Sequence, residues 1–277
     1  SEDQRVRKDA YEALYSTYKK QRNTLAATLN ANIKANIFNA KVRKYNSARE
    51  AALFPDNVPV DVYDNLIKTI HDNMSLMYRY IDLRKKLLGL DELYMYDLYT
   101  PMIKDAAVEI PYEEAEDTII KGLHLLGEDY IKVLEEGYNG GWIDIYENQG
   151  KRSGAYSWGC YDSHPYVLLN YNDTLDSMFT LAHEMGHALH SYFSDKSQDY
   201  VYAQYKIFVA EVASTANEAL LMDYLLKNTQ EKKKKMYLLN HYLEQFRTTV
   251  YRQTMFAEFE KIIHAKVESG EALTADS

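Results

Sequence analysis

His183-Glu184-Met185-Gly186-His187 lies within residues 172–193, a stretch whose periodicity is that of an amphipathic helix. Leu175, Met178, Ala182, Met185, Leu189 and Tyr192 recur at alternating steps of three and four, which lines them along one side of a 3.6-residue helix. Asp176, Thr180, His183, His187 and His190 keep the same rhythm on the neighbouring side. Asn172, Asp173 and Thr174 stand ahead of them and are good helix starters, since a short polar side chain there takes up an unpaired backbone N–H. Two imidazoles four residues apart on one helix face can reach a single metal ion, each nitrogen roughly 2.0–2.1 Å from Zn²⁺. Glu184, between them, is placed to take a proton from water. Paired histidines also occur as hydrogen-bonded core residues, but a polar stripe beside a core stripe favours the metal reading.

A catalytic zinc takes three protein ligands and keeps one position open. His190 is nearest in sequence, yet seven residues, roughly 10 Å of helix, separate it from His183. A longer pattern with a third histidine is also excluded, because Phe193 stands where that histidine would be. The run from Phe208 to Leu221 offers a better candidate. It is apolar around nearly its whole circumference and therefore reads as a buried helix. Its polar exceptions, Glu211, Ser214, Thr215 and Glu218, share one face. A buried carboxylate is costly unless paired or metal-bound, so Glu211 is the expected third ligand. Glu218, two turns on, suits an acceptor that orients a ligand histidine through its other ring nitrogen, and Asp176 is a second candidate for that task. A buried ion pair is the alternative for both glutamates.

These residues together resemble the M3 peptidases, a family that includes thimet oligopeptidase and the oligoendopeptidase F group. The resemblance rests on His183 to His187, on Phe208-Val209-Ala210-Glu211 with Ser214 and Glu218, and on two upstream segments, Gly150 to Ser157 and His164 to Tyr171. It extends back through Arg43, Tyr45, Asn46-Ser47 and Leu53-Phe54, and forward to Arg252-Gln253 and Phe256 to Glu260. It implies one Zn²⁺ per chain on His183, His187 and Glu211, with Glu184 as general base and acid. It also implies cleavage of short peptides inside a deep, mostly helical channel. Members of that family are much longer at both ends and carry, beyond the point corresponding to Ser277, a loop rich in Tyr, His and Gly. The chain is accordingly expected to be an interior piece of a longer protein. The alternative to a working enzyme is a piece that binds zinc and peptide without turnover.

Elsewhere the helical signal dominates. Tyr11, Leu14 and Tyr18, then Leu25, Leu29 and Ile33, mark long helices, and Ile67, Ile70, Met74, Met77 and Ile81 stripe the next as far as Gly89. Another helical stretch follows Pro111 and closes near residues 137–141, and a last one spans about 231–267. Only residues 142–171 read differently, with glycines and polar residues around Tyr156-Ser157-Trp158 and Tyr166-Val167-Leu168-Leu169. A small sheet is expected there, just before the zinc helix. An exposed edge strand could pair with an extended peptide, or the strands could simply pack under the helix. Tyr156 and His164 are the expected substrate contacts.

The fold expected is therefore mostly α, a multi-helix zincin-like domain with one small β-sheet before the metal helix. It divides in sequence into a helical part (1–140), the sheet (142–171) and the zinc-binding helices (173–277). A formal net charge of −9 argues against non-specific nucleic-acid binding, and no long apolar run suggests membrane insertion. A single cysteine, Cys160, excludes a disulfide framework and suits a reducing cytoplasm. The expected activity is zinc-dependent hydrolysis of oligopeptides; the sequence leaves the oligomeric state open.

Overall fold

The computed structural model describes residues 1–103 and 109–277. The first half is a succession of helices: α1 (Gln4–Lys20), α2 (Arg22–Val42), α3 (Ala48–Leu53), α4 (Val60–Asp72) and α5 (Met74–Leu87). The apolar stripe that runs from Ile67 to Ile81 is broken at Asn73, whose backbone leaves the helical region. Its side-chain amide donates to the Thr69 carbonyl at 2.8 Å, taking the place of a helical backbone bond. Next come α6 (Tyr112–Leu123), α7 (Glu128–Asn139), β1 (Ile143–Asp144), β2 (Tyr156–Trp158) and β3 (Tyr166–Leu168). The single helical stretch expected after Pro111 is two helices, because Gly127 adopts a left-handed φ of 95° between them. The chain ends with α8 (Leu175–Ser197), α9 (Ile207–Asn228), α10 (Lys232–Gln245), one π-helical segment (Phe246–Tyr251) and α11 (Arg252–Glu268).

Packing divides this succession into two units, residues 1–102 with 243–277, and residues 103–242. In the first, Ile33, Ile37 and Ala40 of α2 pack with Ala48 of α3 and Ile263 of α11. The α1 stripe is not core: no residue of α1 is buried, and Leu14 and Tyr18 are exposed. That helix is tied down instead by a buried ion pair, Arg7 to Asp97 at 2.7 Å, in which the aspartate is fully buried.

The second unit is built around α8. Leu181, Met185, Ala188 and Leu189 lose all contact with solvent there, beside Ile119 and Leu123 of α6, Leu134 of α7 and Leu221 of α9. The three strands form one sheet in the order β1-β3-β2. β1 is parallel to β3, with Ile143 opposite Val167, and β2 is antiparallel to it, with Ser157 opposite Val167. Val167 and Leu169 are buried in the core that α8 shares.

The expectation of burial all round α9 fails at its first turns. Ile207, Phe208 and Val212 are exposed, and the buried residues are Ala210, Ser214, Asn217, Leu221 and Met222, the first four at steps of four, three and four on one face. An all-apolar sequence has no preferred face of its own, so the packing partner chooses it.

Candidate metal centre

α8 starts as its sequence indicates. Thr174 is the cap, its hydroxyl oxygen accepting from the Ser177 N–H at 3.1 Å. Asn172 steadies it by accepting from the Thr174 and Ser177 hydroxyls at 2.9 and 2.5 Å. Nine and thirteen residues further, His183 and His187 sit one turn apart with ring centroids 4.8 Å from each other. Their Nε2 atoms are 3.2 Å apart.

α9 brings Glu211 to the same point. Its Oε2 lies 3.2 Å from His183 Nε2 and 3.3 Å from His187 Nε2. These three residues form a group able to hold a metal ion. The spacing suits a tetrahedral ion such as zinc. Tetrahedral donors at about 2.0–2.1 Å from an ion stand roughly 3.3–3.4 Å from one another, and the three edges found here, 3.2, 3.2 and 3.3 Å, are close to that. The burial from which sequence picks Glu211 does not hold, since its side chain is 63 % exposed. Register on α9 brings it in, and the fully buried Ser214 holds it, its hydroxyl donating to Glu211 Oε2 at 2.8 Å.

The two helices come this close because residue 186 is glycine. A Cβ there would stand 2.7 Å from Ser214 Cα and 3.0 Å from the Ala213 carbonyl oxygen. Asn217 locks the same pair from the other side. This buried residue donates to the Ala182 carbonyl at 3.0 Å and accepts from the Tyr130 hydroxyl at 2.9 Å. It does not figure among the polar exceptions expected for the helix, although a lone amide in an apolar run is itself a signal.

Glu218 reaches His183 from behind, its Oε1 2.5 Å from Nδ1. An Nδ1–H donating to that carboxylate leaves the Nε2 lone pair facing the other two donors. Burial alone would lower the His183 pKa. The Glu218 hydrogen bond and the charges of Glu218, Glu184 and Glu211 more than reverse this, so the site favours positive charge. His187 is held below its ordinary value, first by burial and then by the His183 and His190 charges, with Glu211 pulling the other way. Neutral imidazole is the form that binds metal.

Glu184 is buried, which raises its carboxyl pKa; the His183 charge opposes this, Glu211 adds to it, and a hydrogen bond from the Ser157 backbone N–H opposes it again. The sheet explains that bond. Val167 and Leu169 donate to the carbonyls of Trp142 and Asp144, on the β1 side. Backbone groups alternate along a strand, so Ser157, opposite Val167, turns its N–H away from β3. The strand edge thus faces the carboxylate.

The remaining candidates lie outside this group of three donors. Tyr156 is half exposed on β2, beside Ser157. His164 stacks flat on Trp142, with centroids 5.4 Å apart, and its Nδ1 lies 2.7 Å from the Pro165 carbonyl. Asp176 is exposed two turns before His183, on the wall of a cavity of about 260 Å³. His190 stacks on Tyr205 at 3.7 Å, apart from the donor triangle. No helix among the described residues is long and apolar enough to cross a membrane.

Comparison with known proteins shows the family. The model of peptidase family M3 matches residues 1–277. Over 276 residues the chain is 55 % identical to oligopeptidase PepF of Bacillus subtilis, covering all of this chain and 41 % of that protein. It is 49 % identical to the chromosomal oligoendopeptidase F of Lactococcus lactis subsp. cremoris, again over its whole length and 46 % of the relative. The crystal structure of oligoendopeptidase-F from Enterococcus faecium superposes with a TM-score of 0.73 at 39 % identity, covering 100 % of this chain and 42 % of that one. The chain therefore spans less than half the length of the relatives it matches.

Proposed function

The chain belongs to peptidase family M3, and on that premise we propose that it is the metal-carrying part of a zinc metalloendopeptidase that hydrolyses oligopeptides. One observation carries the reading: three donor atoms spaced for tetrahedral zinc stand next to a buried carboxylate with a raised pKa. His183, His187 and Glu211 would hold one Zn²⁺. Bound there, zinc would supply Lewis acidity to the scissile carbonyl and to water. Glu184 takes the proton of the attacking water and later gives it to the leaving amine; a carboxyl pKa raised towards neutrality suits both directions. Glu218 keeps His183 in the tautomer that faces the metal, and Ser214 keeps Glu211 in place.

The outer edge of β2 suits an extended peptide, whose backbone would add a strand while its side chains remain free to vary. Tyr156 lies on that strand, and His164 contacts the ring of Tyr166 on the neighbouring β3 at 4.4 Å. The compartment we propose is the cytoplasm, supported by a lone cysteine, Cys160, which is free.

Zinc content and peptide hydrolysis, measured together on the purified chain, test this reading. One zinc per chain, lost in Glu211→Ala, with hydrolysis abolished in Glu184→Gln while zinc is retained, is the expected result. Zinc and peptide binding without hydrolysis would favour the non-catalytic alternative. A chain that takes up no zinc on reconstitution would refute both.

A further inference from the structure

We propose that the cavity at the start of α8 is a subsite for a basic side chain of the peptide, with Asp176 as its anion; this rests on the peptidase reading. The cavity, about 260 Å³, is walled by Asp176 and Thr180 of α8, by Asn170, Tyr171 and Asn172 before it, and by Ala155 just ahead of β2. That volume is below the roughly 300–1,000 Å³ of sites that enclose a whole drug-sized ligand, and it suits one long side chain.

Its chemistry is that of an acceptor. The Asn170 amide donates to the carbonyls of Arg152 and Gly154, at 3.0 and 2.8 Å, which leaves its own carbonyl oxygen free to accept. The hydroxyls of Thr174 and Ser177 both donate to Asn172, and that of Tyr171 donates to the Ile110 carbonyl at 2.7 Å. Most lining donors are therefore spent inside the wall, while the Asp176 carboxylate is exposed. The field has the same sign. Tyr171 is pushed up first by burial and then by negative groups that include Asp173, Glu114 and Glu113. The α8 N-terminus contributes only about half a positive charge against them. A guanidinium or ammonium group is the complementary ligand.

Position ties the cavity to the metal centre. Asp176, Thr180, His183 and His187 follow one another at steps of four, three and four, so they share a helix face. Asp176 lies about 10 Å along the axis from His183. An extended peptide rises about 3.3 Å per residue, which puts the basic side chain about three residues from the scissile bond.

The test uses the zinc-loaded 277-residue chain carrying Glu184→Gln, and fluorescent peptides with arginine or its neutral isostere citrulline three residues to either side of the scissile bond. Arginine at one of these positions should tighten binding about tenfold over citrulline. Asp176→Asn should erase that advantage, and Asp176→Lys should turn it into a preference for glutamate, with circular dichroism confirming the fold of each. Equal binding of the arginine and citrulline peptides would overturn the subsite, as would an advantage that survives Asp176→Asn. Cleavage by the parent chain separates the two readings. If both peptides are cut with equal kcat/KM, the peptidase reading stands and the subsite alone is lost; if neither is bound or cut, both are lost.

Discussion

The backbone N–H of Ser157 turns away from β3 and lowers the pKa of the Glu184 carboxyl against its burial, so the open strand edge and the proposed general base are electrostatically coupled. A side-chain truncation cannot remove that donor, but proline can. The N–H of Ser157 faces away from β3, so Ser157→Pro should spare the strand ladder, and edge strands tolerate proline. A hydrogen bond to a charged group contributes about 1.5–3 kcal/mol, which corresponds to roughly a 10- to 100-fold change in rate. Ser157→Pro should lower kcat by that factor with zinc content unchanged, whereas Ser157→Ala should match the parent. Equal rates for the two variants would remove Ser157 from the mechanism.

Glu218 would act on a bound metal through its contact with His183. Replacement by Gln keeps the shape but loses the charge that holds the Nδ1 proton. Loss of such a partner weakens metal affinity about 10- to 100-fold. Competition with a chromogenic zinc chelator should show this for Glu218→Gln; an unchanged affinity would assign the pair to folding alone.

Gly186→Ala sets two effects against each other. Alanine favours an isolated helix by about 1 kcal/mol, yet here the added Cβ meets the backbone of α9 at 2.7 and 3.0 Å. Backbone atoms cannot swing aside, and overpacking of this kind costs about 1–3 kcal/mol. The expected outcome is a lower Tm together with weaker zinc binding, because the shift moves Glu211 away from the histidines. A variant with a raised Tm and unchanged zinc affinity would show that the helices can separate without cost.

Acid should act on the first unit through Asp97. Burial would raise its pKa, but hydrogen bonds from the Tyr94 N–H, Arg7 and Gln4 and the Arg7 charge bring it below the ordinary value. A carboxyl that ionises more readily folded than unfolded contributes its full stability above the unfolded pKa of about 3.9. That contribution is lost as the pH falls from there through the lower folded value. Asp97→Asn should cost roughly 3–5 kcal/mol near neutrality, since Arg7 is left nearly buried without its partner. The variant should also show a flatter loss of stability below about pH 4, read from urea denaturation across the acid range.

Local periodicity made α8 legible. A core stripe, a polar stripe and a capping cluster all fell within one window, and runs of aromatic and β-branched residues marked β2 and β3 in the same way. Glu211 lacks the burial that its apolar neighbours imply; its position depends on how α9 is turned, which an evenly apolar sequence does not encode. Ser157 leaves no mark for a different reason: every residue but proline carries a backbone N–H, so the one that acts on the Glu184 pKa is not distinguished in the sequence. The return of residues 243–277 to the unit of residues 1–102 is a long-range choice of partner, beyond any pattern in a short window.

The edge strand β2 is three residues long, with Tyr156 and Trp158 exposed on either side of Ser157. Long edges with exposed aromatic rings are templates for strand-by-strand polymerisation, and proteins commonly blunt the hazard by keeping such edges short. A three-residue strand is too short to seed a growing stack. The same brevity that would suit the proposed pairing with one peptide keeps the edge from templating stacks of the molecule's own copies.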